Sequence, residues 1–361
     1  MFENSLELYE RAKIIPGRSL TRSKAPGRFG AVGDVPLYAM NARGAYIEDV
    51  DENQYIDMLC ALGAVSLGYS WQMNSGFGVA SLPDVYEVRA AERVLKHVSP
   101  WASSVRFTKT GSEATHAAYR IAKAATDRPS VMVGDWAYHG WHEWVEDADT
   151  FHHGAQLPGG TYAPAAIFIE PHRWEPIDVD WLKDVRRWCT ENGALLVFDE
   201  MIYGGRWALG GASEYFGVIP DLACYGKAFG NGQSVAFVVG NEALEEHGEI
   251  VSGTYSGDVG GLSAVVSTID TYVKDNVIET LWARGRQLQG GLRHLGMEVQ
   301  GAPVHQRIKF TDKAQGLRFS TEMAKRGVLW HPDVTNIMAA HTSEIIDRVL
   351  EAAGESWKAV Q

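Results

Sequence analysis

Residues 195–228 read "LLVFDEMIYGGRWALGGASEYFGVIPDLACYGKA", and this stretch decides the fold. Two short runs within it, "LLVF" and "DLACYG", are almost wholly apolar. Asp199 ends the first, and Lys227 follows the second 28 residues later. Unbroken apolar runs of this length predict strands covered on both faces. Further out, "SVMVGD" and "AAIFIEP" have the same form, each closing on a polar or acidic residue. Between such runs lie segments of helical period: "DVYEVRAAERVLKHV", "SEATHAAYRIAKAA" and "DVDWLKDVRRWCTENG", the last closed by Asn192-Gly193. The alternation predicts an α/β fold, a mostly parallel sheet with helices on both faces. Ligands in that architecture sit beyond the carboxyl ends of the strands, where Asp199 and Lys227 stand.

The flanks differ. "GAYIEDV" and "QYIDML", joined by "DEN", alternate polar and apolar residues and predict a tight hairpin. Beyond residue 285, "IETLWARGRQLQGGLRHLGM" and "TSEIIDRVLEAAGESWKAV" predict helices, with strands at "VHQRIKF" and "VLWHP". The expected organisation is an N-terminal arm and hairpin over 1–65, a large domain over 66–284, and a small α/β domain over 285–361. The first and last pieces are expected to form one small domain.

With 45% hydrophobic and 22% charged residues the chain is globular in composition. A net charge of −12 argues against nucleic acid or an anionic membrane as partner. Cys60, Cys189 and Cys224 show no CxxC spacing and fit a reducing compartment. "MFENSLELYERAK" lacks the apolar core of a signal peptide, and no run reaches the ~20 apolar residues of a membrane span. A cytoplasmic location is expected.

Four features carry chemistry. Asp199, following an apolar strand, is expected to be partly desolvated and to need a cationic partner, a protonated ring nitrogen or an arginine. Lys227 is no Walker lysine, since Asp221 and Ala228 break that motif. In a confined pocket it loses proton affinity and becomes an amine nucleophile for carbonyl compounds. "TKTGSEA" (108–114) joins a strand to a helix and places Thr110, Gly111 and Ser112 where helix N–H groups bind phosphate, although Ser112 could simply cap the helix. "WAYHGWHEW" (136–144) offers Tyr138 to stack on a planar ring, or to fill an aromatic core. His139 and His142 are spaced HxxH with His152-His153 beyond, but nothing matches a zinc motif, and no metal is expected.

Taken in order, these four features describe a pocket for a flat phosphorylated ring bearing a nitrogen and an aldehyde, pyridoxal 5′-phosphate. The sequence resembles the class III aminotransferases, nearest the branch that holds glutamate-1-semialdehyde 2,1-aminomutase. "RAKIIPGRS", "GAYIEDVDENQYIDML", "FTKTGSEA", "YHGWHEW", "SGTYSG" and the 195–228 segment carry the resemblance across most of the chain. It implies the fold type I architecture of pyridoxal-phosphate-dependent transferases. It also implies that Lys227 joins the cofactor aldehyde as an imine and then shuttles the substrate proton, while Asp199 keeps the pyridine nitrogen protonated. Thr110, Gly111 and Ser112 match the phosphate loop, Tyr138 the stacking aromatic with His139 beside it, and Met201 the residue beneath the ring. Thr254 matches a threonine that reaches the neighbouring subunit's phosphate, which implies a homodimer with shared active sites. Glu170 matches a pocket glutamate.

Departures cluster on the substrate side. The segments after "LGYS" and after "YHGWHEW" are short, and Gly204-Gly205-Arg206 replaces the usual Gly-Phe-Arg. Leu62 stands where the aminomutase has a pocket tryptophan. The expected activity is transfer of an amino group from an amino-acid or amine donor to a carbonyl acceptor in a ping-pong cycle. The alternatives are an intramolecular 2,1-aminomutase and, from another class, a non-catalytic pyridoxal-phosphate-binding protein.

Overall fold

The computed structural model describes residues 2–15, 18, 19, 21–69, 78–152, 154, 155, 157, 163–171 and 177–361. Pro16, Gly17 and Leu20 of the arm, His153, and most of the shortened segment after "LGYS" lie outside the described residues. Contacts divide the chain into two units, Met1–Trp71 with Glu279–Gln361, and Gln72–Ile278.

In the first unit, helix α1 (Glu3–Arg11) precedes strands β1 (Ala39–Arg43), β2 (Tyr46–Asp49) and β3 (Gln54–Asp57). The hairpin β2–β3 is antiparallel, with Ile47 opposite Tyr55. Its turn is built by Asp49, whose Oδ1 accepts the N–H groups of Asp51 and Asn53, each at 2.9 Å.

The second unit is built on strands β4 (Ser104–Thr108), β5 (Val131–Gly134), β6 (Asp149–Phe151), β7 (Ala166–Ile169), β8 (Leu195–Asp199), β9 (Leu222–Tyr225) and β10 (Ala236–Gly240). Among the described residues these seven form one sheet in the order β4-β10-β9-β8-β7-β5-β6. Strands β5 to β9 are mutually parallel, and β10 runs antiparallel to both β9 and β4. The apolar runs are explained by burial on both faces. Ile167, Ile169, Leu196, Phe198, Ala223 and Tyr225 belong to one core cluster. Their neighbours Ala166, Phe168, Val197, Leu222 and Cys224 belong to the other. Helices α2 (Val85–Arg93), α4 (Val179–Asn192) and α7 (Val259–Asp275) supply residues to the first cluster. Helix α3 (Gly111–Thr126) covers the second face with Ala114, Ala117, Ala118 and Ile121. The short helices α5 (Ala212–Phe216) and α6 (Glu242–His247) complete this unit.

The chain returns to the first unit through helix α8 (Val277–His294), strands β11 (Val299–Ala302) and β12 (His305–Ile308), and helix α9 (Lys313–Lys325). Strands β13 (Val328–Leu329) and β14 (Thr335–Asn336) and helix α10 (Ser343–Val360) follow. Strand β13 pairs in parallel with β3, so an N-terminal hairpin and a C-terminal strand share one sheet.

The loop after β8 is pinned by a buried glutamate. Glu200 is 1% exposed, and its two oxygens accept the N–H groups of Ala212 (2.8 Å) and Ser213 (2.9 Å). Burial, aided by the adjacent Asp199, pushes its carboxyl up to about 8 against the pull of those N–H groups. The folded chain thus keeps a proton there that the unfolded chain releases above pH 4.5. Native stability therefore falls as pH rises from the unfolded value toward 8. Gln at this position does not titrate. Urea melts of Glu200→Gln beside the native chain are expected to shift in favour of the variant by about 3 kcal/mol between pH 5 and 8. A difference that stays flat across that range would contradict a protonated Glu200.

Candidate functional site

At the carboxyl ends of β8 and β9, Gln72–Ile278 encloses a cavity of about 180 Å³. Asp199 and Lys227 both line it, with Gly111 and Ser112 from the start of α3. Tyr138, His139 and Gly140 come from the loop after β5, and Met201 from the loop after β8.

Asp199 is 2% exposed, and its environment shows how a carboxylate is kept in an apolar core. Oδ1 accepts the Met201 N–H at 3.0 Å, and Oδ2 faces His139 Nδ1 at 2.8 Å. The carboxylate makes Nδ1 the donor, which leaves Nε2 as an acceptor. That Nε2 is buried with no hydrogen-bond partner among the described residues. The ring packs against Trp144, stacked at 6.4 Å, and Phe168. Asp199 thus has a hydrogen-bond partner inside the protein as well as a face on the cavity.

Lys227 opens a short 3₁₀ turn directly after β9, with φ +43°, a left-handed conformation that costs a side-chain-bearing residue energy. Gly226 precedes it for a steric reason. A Cβ there would lie 2.9 Å from the Met201 sulfur and 3.2 Å from the Ala236 methyl. The same sulfur would lie 3.0 Å from a Cβ on Gly111. Met201 is thus a thioether wedged between two glycines on the cavity floor.

The alternative reading of Ser112 as the cap of α3 does not hold. Thr110 is the N-cap: its Oγ1 accepts the Glu113 N–H, while Glu113 Oε2 accepts the N–H groups of Lys109 (2.7 Å) and Thr110 (2.9 Å). This capping box consumes the donors of residues 109, 110 and 113. The N–H groups of Gly111 and Ser112 and the Ser112 hydroxyl make no hydrogen bond among the described residues. Those three donors sit at a positive helix end facing the cavity, an anion cradle.

The loop after β5 is held tightly against that cradle. Thr115 Oγ1 donates to the His139 carbonyl at 2.6 Å. A Cβ on Gly140, at φ +98°, would come within 2.5 Å of Ser112 Oγ and 2.8 Å of its Cα. Thr115 also lines the cavity, a position the sequence analysis missed. Its signal was the i, i+4 spacing from Gly111, which puts both on one helix face.

Of the other sequence candidates, Thr110, Glu170, Arg206, Thr254 and Leu62 are not lining residues of the cavity. Glu170 does not line the cavity; its Oε2 accepts the Tyr138 N–H at 3.1 Å and so fixes the loop backbone. Tyr138 itself is 61% exposed at the cavity edge. Arg206 is 1% exposed and is not a lining residue. Thr254 lies exposed in the turn before α7 and does not line the cavity. Leu62 belongs to the other unit, in a left-handed turn with Cys60 and Ala61 (φ +61°, +52° and +51°). The HxxH histidines diverge: His139 faces Asp199, while His142 Nδ1 lies 3.0 Å from His116 Nδ1. Cys60, Cys189 and Cys224 are all free and buried.

A buried acid, a strained lysine and a helix-end anion cradle on one cavity fit a phosphorylated heterocycle with an aldehyde, and comparison with known proteins agrees. The family model for aminotransferase class-III matches residues 29–145 and 163–344. The chain is 28% identical to a 3-aminobutyryl-CoA aminotransferase of Cloacimonas acidaminovorans, covering 99% of this chain and 97% of that protein. It is 30% identical to a glutamate-1-semialdehyde 2,1-aminomutase of Syntrophobacter fumaroxidans, covering 98% and 97%. Among solved structures, the PLP internal aldimine form of the Sphingopyxis sp. MTA144 FumI protein superposes with a TM-score of 0.87. Identity to it is 27%, over 99% of this chain and 96% of that one. An omega-transaminase from Sphaerobacter thermophilus shares the fold at a TM-score of 0.85 and 21% identity, over 99% and 97% of the two chains. The α/β architecture is thus that of the pyridoxal-phosphate-dependent transaminases, and the chain belongs to the class-III aminotransferases, enzymes that move amino groups with pyridoxal phosphate.

Proposed function

We propose that Lys227 and Asp199 are the catalytic pair of an aminotransferase that takes an amino group from an amino-acid or amine donor and delivers it to a carbonyl acceptor. The observation that carries this is their meeting on one cavity whose other end is the donor-rich start of α3. When bound, pyridoxal phosphate supplies an aldehyde that carries the amino group and a ring that withdraws electrons from the substrate carbon. Gly111 and Ser112 would hold its phosphate, with Thr110 capping the turn that presents them, while Tyr138 would lie against the ring and Met201 would pack on it. Asp199 keeps the ring nitrogen protonated, and His139 steadies Asp199 from the opposite side. Lys227 would hold the cofactor through its aldehyde carbon and, once the incoming amine has displaced it, its free amine would take the proton from the substrate α-carbon and deliver it to the former aldehyde carbon. Thr254, exposed on its turn, serves a second copy of the chain, making the working enzyme a homodimer. Glu170 acts through Tyr138 rather than on substrate.

The intramolecular aminomutase remains the second reading, favoured by the 30% identity to the Syntrophobacter enzyme. Product analysis separates the two. A transaminase converts its cofactor to the amine form with a donor and releases a free carbonyl product, whereas a mutase releases only the isomer of its amino-aldehyde substrate and no separate carbonyl product.

Incubation with pyridoxal phosphate is expected to give a visible absorption band that borohydride abolishes. Lys227→Ala is expected to lose that band and to lower turnover by about 10²–10⁴-fold. A native chain that stays colourless would sink the assignment. The cradle has its own test in Gly140→Ala. The positive φ alone is expected to cost about 1–3 kcal/mol. The clash with Ser112 is expected to weaken cofactor binding at least about tenfold by equilibrium titration. Unchanged cofactor affinity would show that the 138–142 loop does not shape the phosphate site.

A further inference from the structure

Lys109, next to the cradle, is fixed at three points. Its N–H donates to Glu113 Oε2 at 2.7 Å, and its carbonyl accepts the Ser234 hydroxyl at 2.7 Å. Its ammonium pairs with Asp258 Oδ2 at 3.0 Å. That same oxygen accepts the Gly261 N–H at 2.9 Å, which makes Asp258 the N-cap of α7. The two side chains are only 24% and 26% exposed, so the pair is better shielded from counter-ions than a surface bridge. Gly261 gives it room: a Cβ there would lie 3.3 Å from Lys109 Nζ and 3.0 Å from the Ser234 carbonyl. Burial raises the Asp258 carboxyl, but the Gly261 N–H and the Lys109 ammonium outweigh it and hold the group below the usual range.

Asp258 also closes the turn that carries Thr254. The Ser256 N–H donates to the Gly253 carbonyl, and the Asp258 N–H to that of Tyr255. One ion pair therefore joins the 110–112 cradle to the 253–258 segment. Lys109 is not among the lining residues of the cavity, and its charge is neutralised by Asp258. It has the geometry of a tether rather than of a phosphate ligand.

We propose that Lys109 is a positioning residue whose ion pair with Asp258 sets the orientation of the anion cradle, so that affinity for the cofactor phosphate depends on a charge pair that does not touch it. The donors of Gly111 and Ser112 act only over hydrogen-bonding distances and angles, so a small tilt of the first turn of α3 weakens them. This rests on the assignment of residues 110–112 to the phosphate.

The test is equilibrium titration of the full chain with pyridoxal phosphate and, separately, with pyridoxal, which lacks the phosphate. The variants are Lys109→Met, Asp258→Asn, the double substitution and Lys109→Arg. Asn still caps a helix, so Asp258→Asn removes the ion pair while leaving α7 its N-cap. A tether requires both single variants to bind pyridoxal phosphate about fivefold more weakly. It also requires the double variant to lose no more than either single, Lys109→Arg to recover, and pyridoxal affinity to stay unchanged. Direct attraction by a lysine charge requires the opposite sign at Asp258, where loss of a negative charge would tighten phosphate binding. Tighter binding by Asp258→Asn, an equal loss toward both ligands, or no change in either single variant overturns the tether. A native chain that binds pyridoxal as tightly as pyridoxal phosphate would instead overturn the cradle assignment, and the proposal with it.

Discussion

A carboxylate that is 2% exposed at the end of an apolar strand is the constraint around which this site is organised. Left alone, Asp199 would cost several kcal/mol of lost hydration. The chain resolves this with two donors, the Met201 N–H and His139 Nδ1. The first fixes the path of the loop after β8. The second draws the loop after β5 across the top of the sheet, where Thr115 and Glu170 secure it. The acid thereby assembles the walls of the cavity it faces.

Glycine closes the remaining gaps. Gly111 and Gly226 leave space for the Met201 thioether, and Gly140 lets a loop lie against Ser112 at a distance no side chain permits. These are contacts between residues far apart in sequence, and each is set by what lies opposite. The capping box at Thr110 and Glu113 adds a division of labour. By occupying some N–H groups of the first turn, it leaves those of Gly111 and Ser112 directed at the cavity. A capped helix end keeps for other partners only the donors its own cap does not use.

The strands β5, β7, β8 and β9 were legible because a strand buried on both faces has no polar residue to spare, and their helices because caps and apolar period agree. Strand β10 was not, because nothing in "VAFVVG" distinguishes an antiparallel partner of β4 and β9 from another parallel strand. Helices α7 and α9 and the short strand β6 also escaped the sequence analysis. Asp199, Lys227 and the 110–112 turn were legible as candidates, since acid, amine and helix start each stand at a strand end. The roles of the residues around them were not. The cap that was the alternative reading of Ser112 falls to Thr110, and Glu170 holds the Tyr138 backbone.

The sequence by itself determined the family, the parallel core and the positions of acid, lysine and cradle, because hydrophobic runs and strand-end residues are local features. Only the tertiary structure decided that His139 is the partner of Asp199, that Met201 rests on two glycines, and that Lys109 reaches Asp258 across 149 residues. Those pairings follow from which loops the sheet order brings side by side, and strand order is a property of packing that no stretch of sequence states alone.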